Sequence, residues 1–291
     1  IVYAALKQYD ATLDSDEPFV LLENNSNRVY VAQSGLIGKD GIDTAEGRAN
    51  YSHTATNYQM QAGQQTLSVP LTYKKDGVTI TKTFTFTQDK YPIDISYQIQ
   101  NASAQPWQGQ MFAQLKRDDS KDPGMSDKGA LSMATYLGGA WGTPDDPYNK
   151  LKFGNFSSDE LKLTSDQGWV GVVQHYFVSA WTPENFTGKF FSRETGGDYF
   201  IGFNSQPVNV GPNKQATLNA TLYAGPKVQS ELKEVAVGLN QTVDYGLLWP
   251  ISKILFAILD GIHKIIGNWG WSIIALTILV KIALLWFSNK S

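Results

Sequence analysis

The chain has no cysteine among its 291 residues and only three histidines. The first absence removes disulfides and thiolate metal sites, and fits either an extracytoplasmic or a cytosolic setting. The second leaves His53 and His175 as the histidines ahead of the C-terminal region. That is too sparse a supply for a serine-histidine-acid triad or a two-histidine acid/base pair. Runs of one charge are missing as well. The 24 lysines and arginines against 27 aspartates and glutamates give a net charge of −3 and no basic stripe, which sets nucleic-acid binding aside. With 42% hydrophobic residues the chain has enough apolar material for a packed core, so disorder is excluded too.

What is present begins at the C-terminal end. Trp269 to Phe287 (WGWSIIALTILVKIALLWF) is an apolar run broken by one charge, Lys281. As a helix it reaches roughly 28 Å, which matches the hydrocarbon thickness of a bilayer, and it is read as a transmembrane helix. A lysine inside such a span costs on the order of 2.5–3.5 kcal/mol, so Lys281 either snorkels to the nearer surface or faces a hydrated cavity. The opening Ile1-Val2-Tyr3-Ala4-Ala5-Leu6 carries neither an initiator methionine nor a signal sequence. The expectation is a piece of a longer membrane protein.

From Pro18 to about Gly225 short alternating stretches are separated by turn residues. In Val78 to Thr87, residues Val78, Ile80, Phe84 and Phe86 share one face, interrupted by Lys82, and threonines line the other. That is strand periodicity with one buried face. Thr66 to Lys74 should meet it through Asp76-Gly77, a strong hairpin signal. Further strand candidates are Phe19–Glu23, Arg28–Gln33, Ile93–Ile99, Gln110–Lys116, Trp169–Gln174, Tyr176–Trp181, Lys189–Ser192, Tyr199–Phe203 and Ala216–Leu222. So many strands in one domain imply two packed antiparallel sheets or a barrel.

After Pro226 the pattern becomes helical. Lys227 to Val237 reads as a connector helix ending at Gly238. From Pro250 the residues Ile251, Ile254, Leu255, Ile258, Leu259, Ile262, Ile265 and Ile266 fall within an arc of about 140°, with Ser252, Lys253, Asp260, His263 and Lys264 opposite. Flanked by Tyr245, Trp249, Trp269 and Trp271, this helix either lies in a membrane interface or packs on the β-rich part by the same stripe. Adjacency to the apolar run favours the interface.

Motifs for chemistry are weak. The loop Asp118-Asp119-Ser120-Lys121-Asp122-Pro123 puts proline where a calcium loop needs glycine and reads as a solvated loop. Gly138-Gly139-Ala140-Trp141-Gly142 lacks dinucleotide spacing and a phosphate-binding lysine, and reads as a turn. Trp107, Trp141, Trp169 and Trp181 fit either a ligand groove or core packing. No catalytic residue, metal ligand or cofactor is expected.

Thr242-Val243-Asp244-Tyr245-Gly246, then Trp249, then Gly267-Asn268-Trp269-Gly270-Trp271-Ser272-Ile273-Ile274, then Leu279-Val280-Lys281, resembles the approach to the core of bacterial YidC-type membrane protein insertases. Ala32-Gln33-Ser34-Gly35-Leu36, Thr81-Lys82-Thr83-Phe84, Tyr176-Phe177 with Ala180-Trp181, and Ser205-Gln206-Pro207-Val208 resemble the large periplasmic domain of the Gram-negative branch. One departure is Trp286-Phe287, where many members carry proline-leucine.

The resemblance implies an antiparallel β-supersandwich like that of galactose mutarotases over residues 1–225, then a connector helix and linker at 226–244. An amphipathic interface helix at 245–267, a transmembrane helix at 268–288 and a cytoplasmic stub at 289–291 would follow. It implies a non-enzymatic insertase and chaperone of the inner membrane, with the β-domain in the periplasm. Nascent membrane proteins, the Sec translocon (SecYEG), SecDF and the lipid bilayer would be its partners, and Lys281 would supply the positive charge of an intramembrane groove. The interface residues would be Trp249, Ile251, Ile254, Leu255, Ile258, Ile262, Ile265, Trp269 and Trp271. A membrane-anchored carbohydrate-binding or carbohydrate-active protein is the alternative, and a cleft with paired acid/base groups would be its sign.

Overall fold

A computed structural model describes residues 1–12, 16–44, 47–123, 136–243 and 249–288, with the backbone alone for 249–253, 283–284 and 286–288. The chain divides into two compact units, Ile1–Thr242 and Val243–Ser291.

The first unit is built of antiparallel strands: β1 (Ala4–Asp10), β2 (Pro18–Asn24), β3 (Val29–Ile37), β4 (Ser52–His53), β5 (Thr66–Lys75), β6 (Val78–Thr87), β7 (Pro92–Asn101), β8 (Trp107–Arg117) and β9 (Gly138–Gly142). They continue with β10 (Asn149–Leu151), β11 (Lys162–Ser165), β12 (Trp169–Val173), β13 (Phe177–Glu184), β14 (Gly188–Thr195), β15 (Asp198–Ser205), β16 (Val208–Val210) and β17 (Lys214–Pro226). One sheet runs β1-β2-β3-β8-β15-β14-β11, with β16 on β8, and the other runs β10-β9-β12-β13-β17-β7-β6-β5-β4. The two sheets share one core, in which Leu21, Leu36, Met111, Leu115, Ile201 and Phe203 of the first meet Ile80, Tyr97, Ile99, Val170, Trp181 and Leu222 of the second. A sandwich is the required solution, since each sheet has one apolar face to cover.

The hairpin expected at Asp76-Gly77 forms between β5 and β6, with Lys75 opposite Val78. Both turn residues have positive φ, 49° and 78°. Such a two-residue turn matches the twist of paired strands, and Asp-Gly supplies it at low cost. Gly196-Gly197, with φ of 64° and 83°, closes β14 onto β15 in the same way.

Two expectations fail. Gly138–Gly142 is strand β9 rather than a turn, paired with β10 on one side and β12 on the other. Its glycines answer to crowding: a Cβ on Gly139 would lie 2.7 Å from the Phe156 ring, and one on Gly142 would lie 2.1 Å from the Pro147 carbonyl oxygen. The loop after β8 is not simply solvated either. Asp122 is buried between Arg117 at 2.8 Å and Arg28 at 3.4 Å, and accepts from Gln174 Nε2 at 2.5 Å. Asp118 meanwhile accepts the Val29 N–H at 2.7 Å. Asp118 and Asp122 thus fasten this loop to the sandwich, while Asp119 is exposed.

The connector helix α1 (Gln229–Val235) belongs to the first unit and buries Leu232. It stops short of Gly238, whose φ of 82° and close approach to Pro147 leave no room for a side chain. The second unit consists of α2 (Trp249–Ile266) and α3 (Trp269–Ser288), which pack against each other.

Candidate functional site

The α2–α3 unit is shaped by its corner. Gly267 takes φ of 72° and donates its N–H to the His263 carbonyl at 2.7 Å, closing α2 as a left-handed glycine does. Asn268 then caps α3, its Oδ1 accepting the Trp271 N–H at 3.2 Å. Ser272, fully buried, donates to the Asn268 carbonyl at 2.8 Å. His263 stacks on Trp269 with ring centroids 3.8 Å apart, and Lys264 pairs with Asp260 at 2.7 Å. The local sequence thus fixes a corner between two helices, with Asp260, His263 and Lys264 on α2 and Lys281 on α3.

The apolar stripe of α2 is divided. Leu255, Ile258, Leu259 and Ile262 are half-buried, whereas Ile254 is 62% exposed and Ile265 87% exposed. On α3, Trp269, Trp271, Ile273, Ile274, Ile278 and Ile282 are exposed as well. Neighbouring apolar side chains left open in this number need a lipid or protein surface to cover them. Gly270, Thr277 and Lys281 fall within about 40° of one another on a helical wheel and form a polar seam along that apolar helix. Lys281 itself is exposed.

Tyr245 lies outside the described residues, and for Trp249 and Ile251 only the backbone is described. Among the described residues, no helix is long and apolar enough to cross a membrane. The side chains of 283–284 and 286–288, in the last turns of α3, fall outside that description.

In the β-rich unit the sequence candidates resolve as packing. Trp169 and Trp181 are fully buried, Trp107 donates its indole N–H to the Asp40 carbonyl at 2.8 Å, and Trp169 donates to Val237 at 3.1 Å. His53 sits exposed on the edge strand β4. His175 is in the β12–β13 turn beside Tyr176, and its pKa is lowered by burial and by Lys227.

Among the described residues of this unit, two clefts stand out. The first, about 570 Å³, holds the carboxylates of Asp94 and Glu184, both hydrogen-bonded to the Thr221 hydroxyl. Asp94 of β7 and Glu184 of β13 flank β17, with the Thr221 hydroxyl standing between them. The second, about 600 Å³, is lined by Arg48, Phe112, Gln114, Phe191, Arg193 and Asn204 among others. None of these was visible as a site in the sequence, because they come from separate segments with no local motif.

The family model described as the YidC periplasmic domain matches residues 1–258. The chain belongs to that family. It is 48% identical over 286 residues to the membrane protein insertase YidC of Stutzerimonas stutzeri, a match covering 97% of this chain and 51% of the relative. It is 47% identical over 269 residues to that of Pseudomonas savastanoi pv. phaseolicola, covering 91% and 47%. The chain therefore spans about half the length of the curated relatives it matches. Similar solved structures include a galactose mutarotase-like protein from Clostridium acetobutylicum, 6% identical with a TM-score of 0.37 over 61% of this chain and 67% of that one. Another is a galactose mutarotase related enzyme from Lactobacillus acidophilus, 8% identical with a TM-score of 0.38 over 61% and 74%. At this distance the likeness carries no argument about activity.

Proposed function

We propose that the chain is part of a membrane protein insertase of the inner membrane, with the β-sandwich in the periplasm and α3 as a membrane-spanning helix. The observation that carries the reading is the 48% identity, over almost the whole chain, to a protein named as such. The α2–α3 unit supports it independently, since it exposes more apolar surface than water tolerates and sets Lys281 beside Thr277 on a polar seam. Helix α3 has 20 residues, or about 30 Å of helix, the thickness of a bilayer core. The Trp269 and Trp271 rings would sit at one interface and α2 would lie along it.

In this reading the protein performs no covalent chemistry. A hydrated groove along the seam lowers the cost of moving a polar segment past lipid, and Lys281 attracts acidic parts of nascent membrane proteins where the low dielectric strengthens charge interactions. By resemblance, the Sec translocon (SecYEG) and SecDF are its partners. The carbohydrate reading has less support, because the high identity is to proteins named as insertases.

The test uses the full-length protein in cells that depend on it. Cysteines placed at Ser157 and Ser288 should be labelled from opposite sides of the membrane. Lys281→Arg should retain insertion, Lys281→Ala should reduce it for clients with charged translocated segments, and Lys281→Glu should be the poorest. Alanine matching wild type for every client at equal abundance would show that Lys281 merely snorkels. Labelling of both cysteines from one side would overturn the topology.

A further inference from the structure

The second cleft has a lining that neither the insertase reading nor a sugar site accounts for. It lies on the outer face of the first sheet. Phe112 and Gln114 of β8 line it, and they alternate with Met111, Ala113 and Leu115, which point into the core. Gln114 donates to Gln33 at 2.8 Å, which leaves its own carbonyl oxygen for another partner. Asn204 of β15 stands in the same lining, and among the described residues its side chain makes no hydrogen bond.

Two guanidinium groups flank these amides. Arg193 of β14 sits 4.6 Å from the centre of the Phe200 ring and 5.9 Å from that of Phe191, and among the described residues no carboxylate lies within ion-pair distance of it. Arg48, in the segment after β3, lies 4.8 Å from the centre of the Phe112 ring. Its acidic neighbour Asp43 is 3.7 Å away, and the other oxygen of that carboxylate already accepts the Leu36 N–H at 2.8 Å. The cleft is thus positively charged, and its one lining carboxylate is already engaged.

That arrangement discriminates between ligands. A sugar is held by hydroxyl-accepting carboxylates and by an open aromatic face, but here Arg48 covers Phe112, itself nearly buried, and Asp43 is occupied. Guanidinium groups held by aromatic rings keep their forked N–H edges for bidentate carboxylates. Side-chain amides donate to and accept from a peptide backbone in one plane. We propose that this cleft binds an extended polypeptide segment bearing acidic side chains, with Arg48 and Arg193 holding the carboxylates and Asn204 and Gln114 pairing with the backbone between them.

The experiment uses the whole chain purified in detergent and fluorescence anisotropy of short labelled peptides that carry spaced glutamates, or glutamine or lysine at the same positions. The glutamate peptide should bind about tenfold or more tightly than its glutamine counterpart, and high salt should erase the difference. Arg48→Gln with Arg193→Gln should remove the preference while the melting curve stays unchanged. Asn204→Asp, which adds a negative charge to the cleft without touching either arginine, should weaken the glutamate peptide and not the lysine one. Equal binding of glutamate and glutamine peptides would overturn the proposal, as would an affinity unchanged in the double variant. A uronic-acid oligosaccharide that binds the cleft where the glutamate peptide does not would assign the site to sugar instead. Because no insertion step is involved, the result is independent of the Lys281 series.

Discussion

Lys82 presents a penalty that can be removed. It lies on the core-facing side of β6, where its ammonium donates to the Ser34 carbonyl of β3 at 3.2 Å and sits 4.8 and 5.1 Å from the ring centres of Phe84 and Tyr97. Burial pulls its pKa from 10.5 down to about 8, with Asp43 opposing the shift and Arg48 adding to it. Between those two values the unfolded chain holds a proton that the folded chain has lost, so stability rises with pH across that window and is flat below it. At about 1.36 kcal/mol per pKa unit, the charged amine costs the fold about 3 kcal/mol near neutrality. Lys82→Met removes that cost but leaves the Ser34 carbonyl without its donor, a loss of about 1 kcal/mol. The variant should be more stable than wild type by about 2 kcal/mol near pH 7, and less stable by up to about 1 kcal/mol near pH 10, where the wild-type amine is largely neutral in the fold. Urea unfolding followed by the β-sheet circular dichroism signal, in both proteins across this range, gives the difference directly. The raised pKa values of Tyr97 and Tyr51 destabilise both proteins alike at the alkaline end and cancel in the comparison. A methionine variant less stable near neutrality, or a difference that does not change with pH, would refute the assignment of a buried, unfavourably charged lysine.

Two further substitutions test the packing. Asp122→Ala strips the buried carboxylate from Arg117 and Arg28 and should cost about 3–5 kcal/mol in the same unfolding assay. Adding Arg117→Met should recover part of the loss, because the stranded charge goes with it. Gly142→Ala forces a methyl group to within 2.1 Å of the Pro147 carbonyl oxygen and should destabilise the sandwich by about 1–3 kcal/mol, whereas Gly154→Ala, with open space around it, should change stability little.

The extent to which the fold was legible follows how local each signal is. Asp76-Gly77 and the threonine alternation of β6 carry their geometry in adjacent residues, and the hairpin formed at the expected turn. The start of α2 near Pro250 and of α3 at Trp269 was equally local, since the Gly267-Asn268 corner separates two runs with different periodicity. By contrast, β9 looked like a turn because glycine reports backbone freedom in one context and a lack of space in another. Which applies depends on Phe156, Pro147 and Trp169, and their proximity exists only after folding. Asp122 was misread for the same reason, as its partners Arg28 and Gln174 lie 94 and 52 residues away in sequence.

The cleft between Arg48 and Arg193 is the limiting case of this rule. Its residues come from the segment after β3 and from β8, β14 and β15, neighbours in the order of one sheet but dispersed along the chain. The strands themselves were expected from the sequence but not their order in this sheet, and alternation tells only that Phe112 and Gln114 share one face, not what stands opposite them. Lys281 is the reverse. It was conspicuous because a single charge inside an apolar run is costly wherever the helix is placed, so the sequence alone demands an explanation for it. Sites whose expense is local can be read from sequence, whereas sites assembled from individually ordinary residues become visible once the sheet has brought them together.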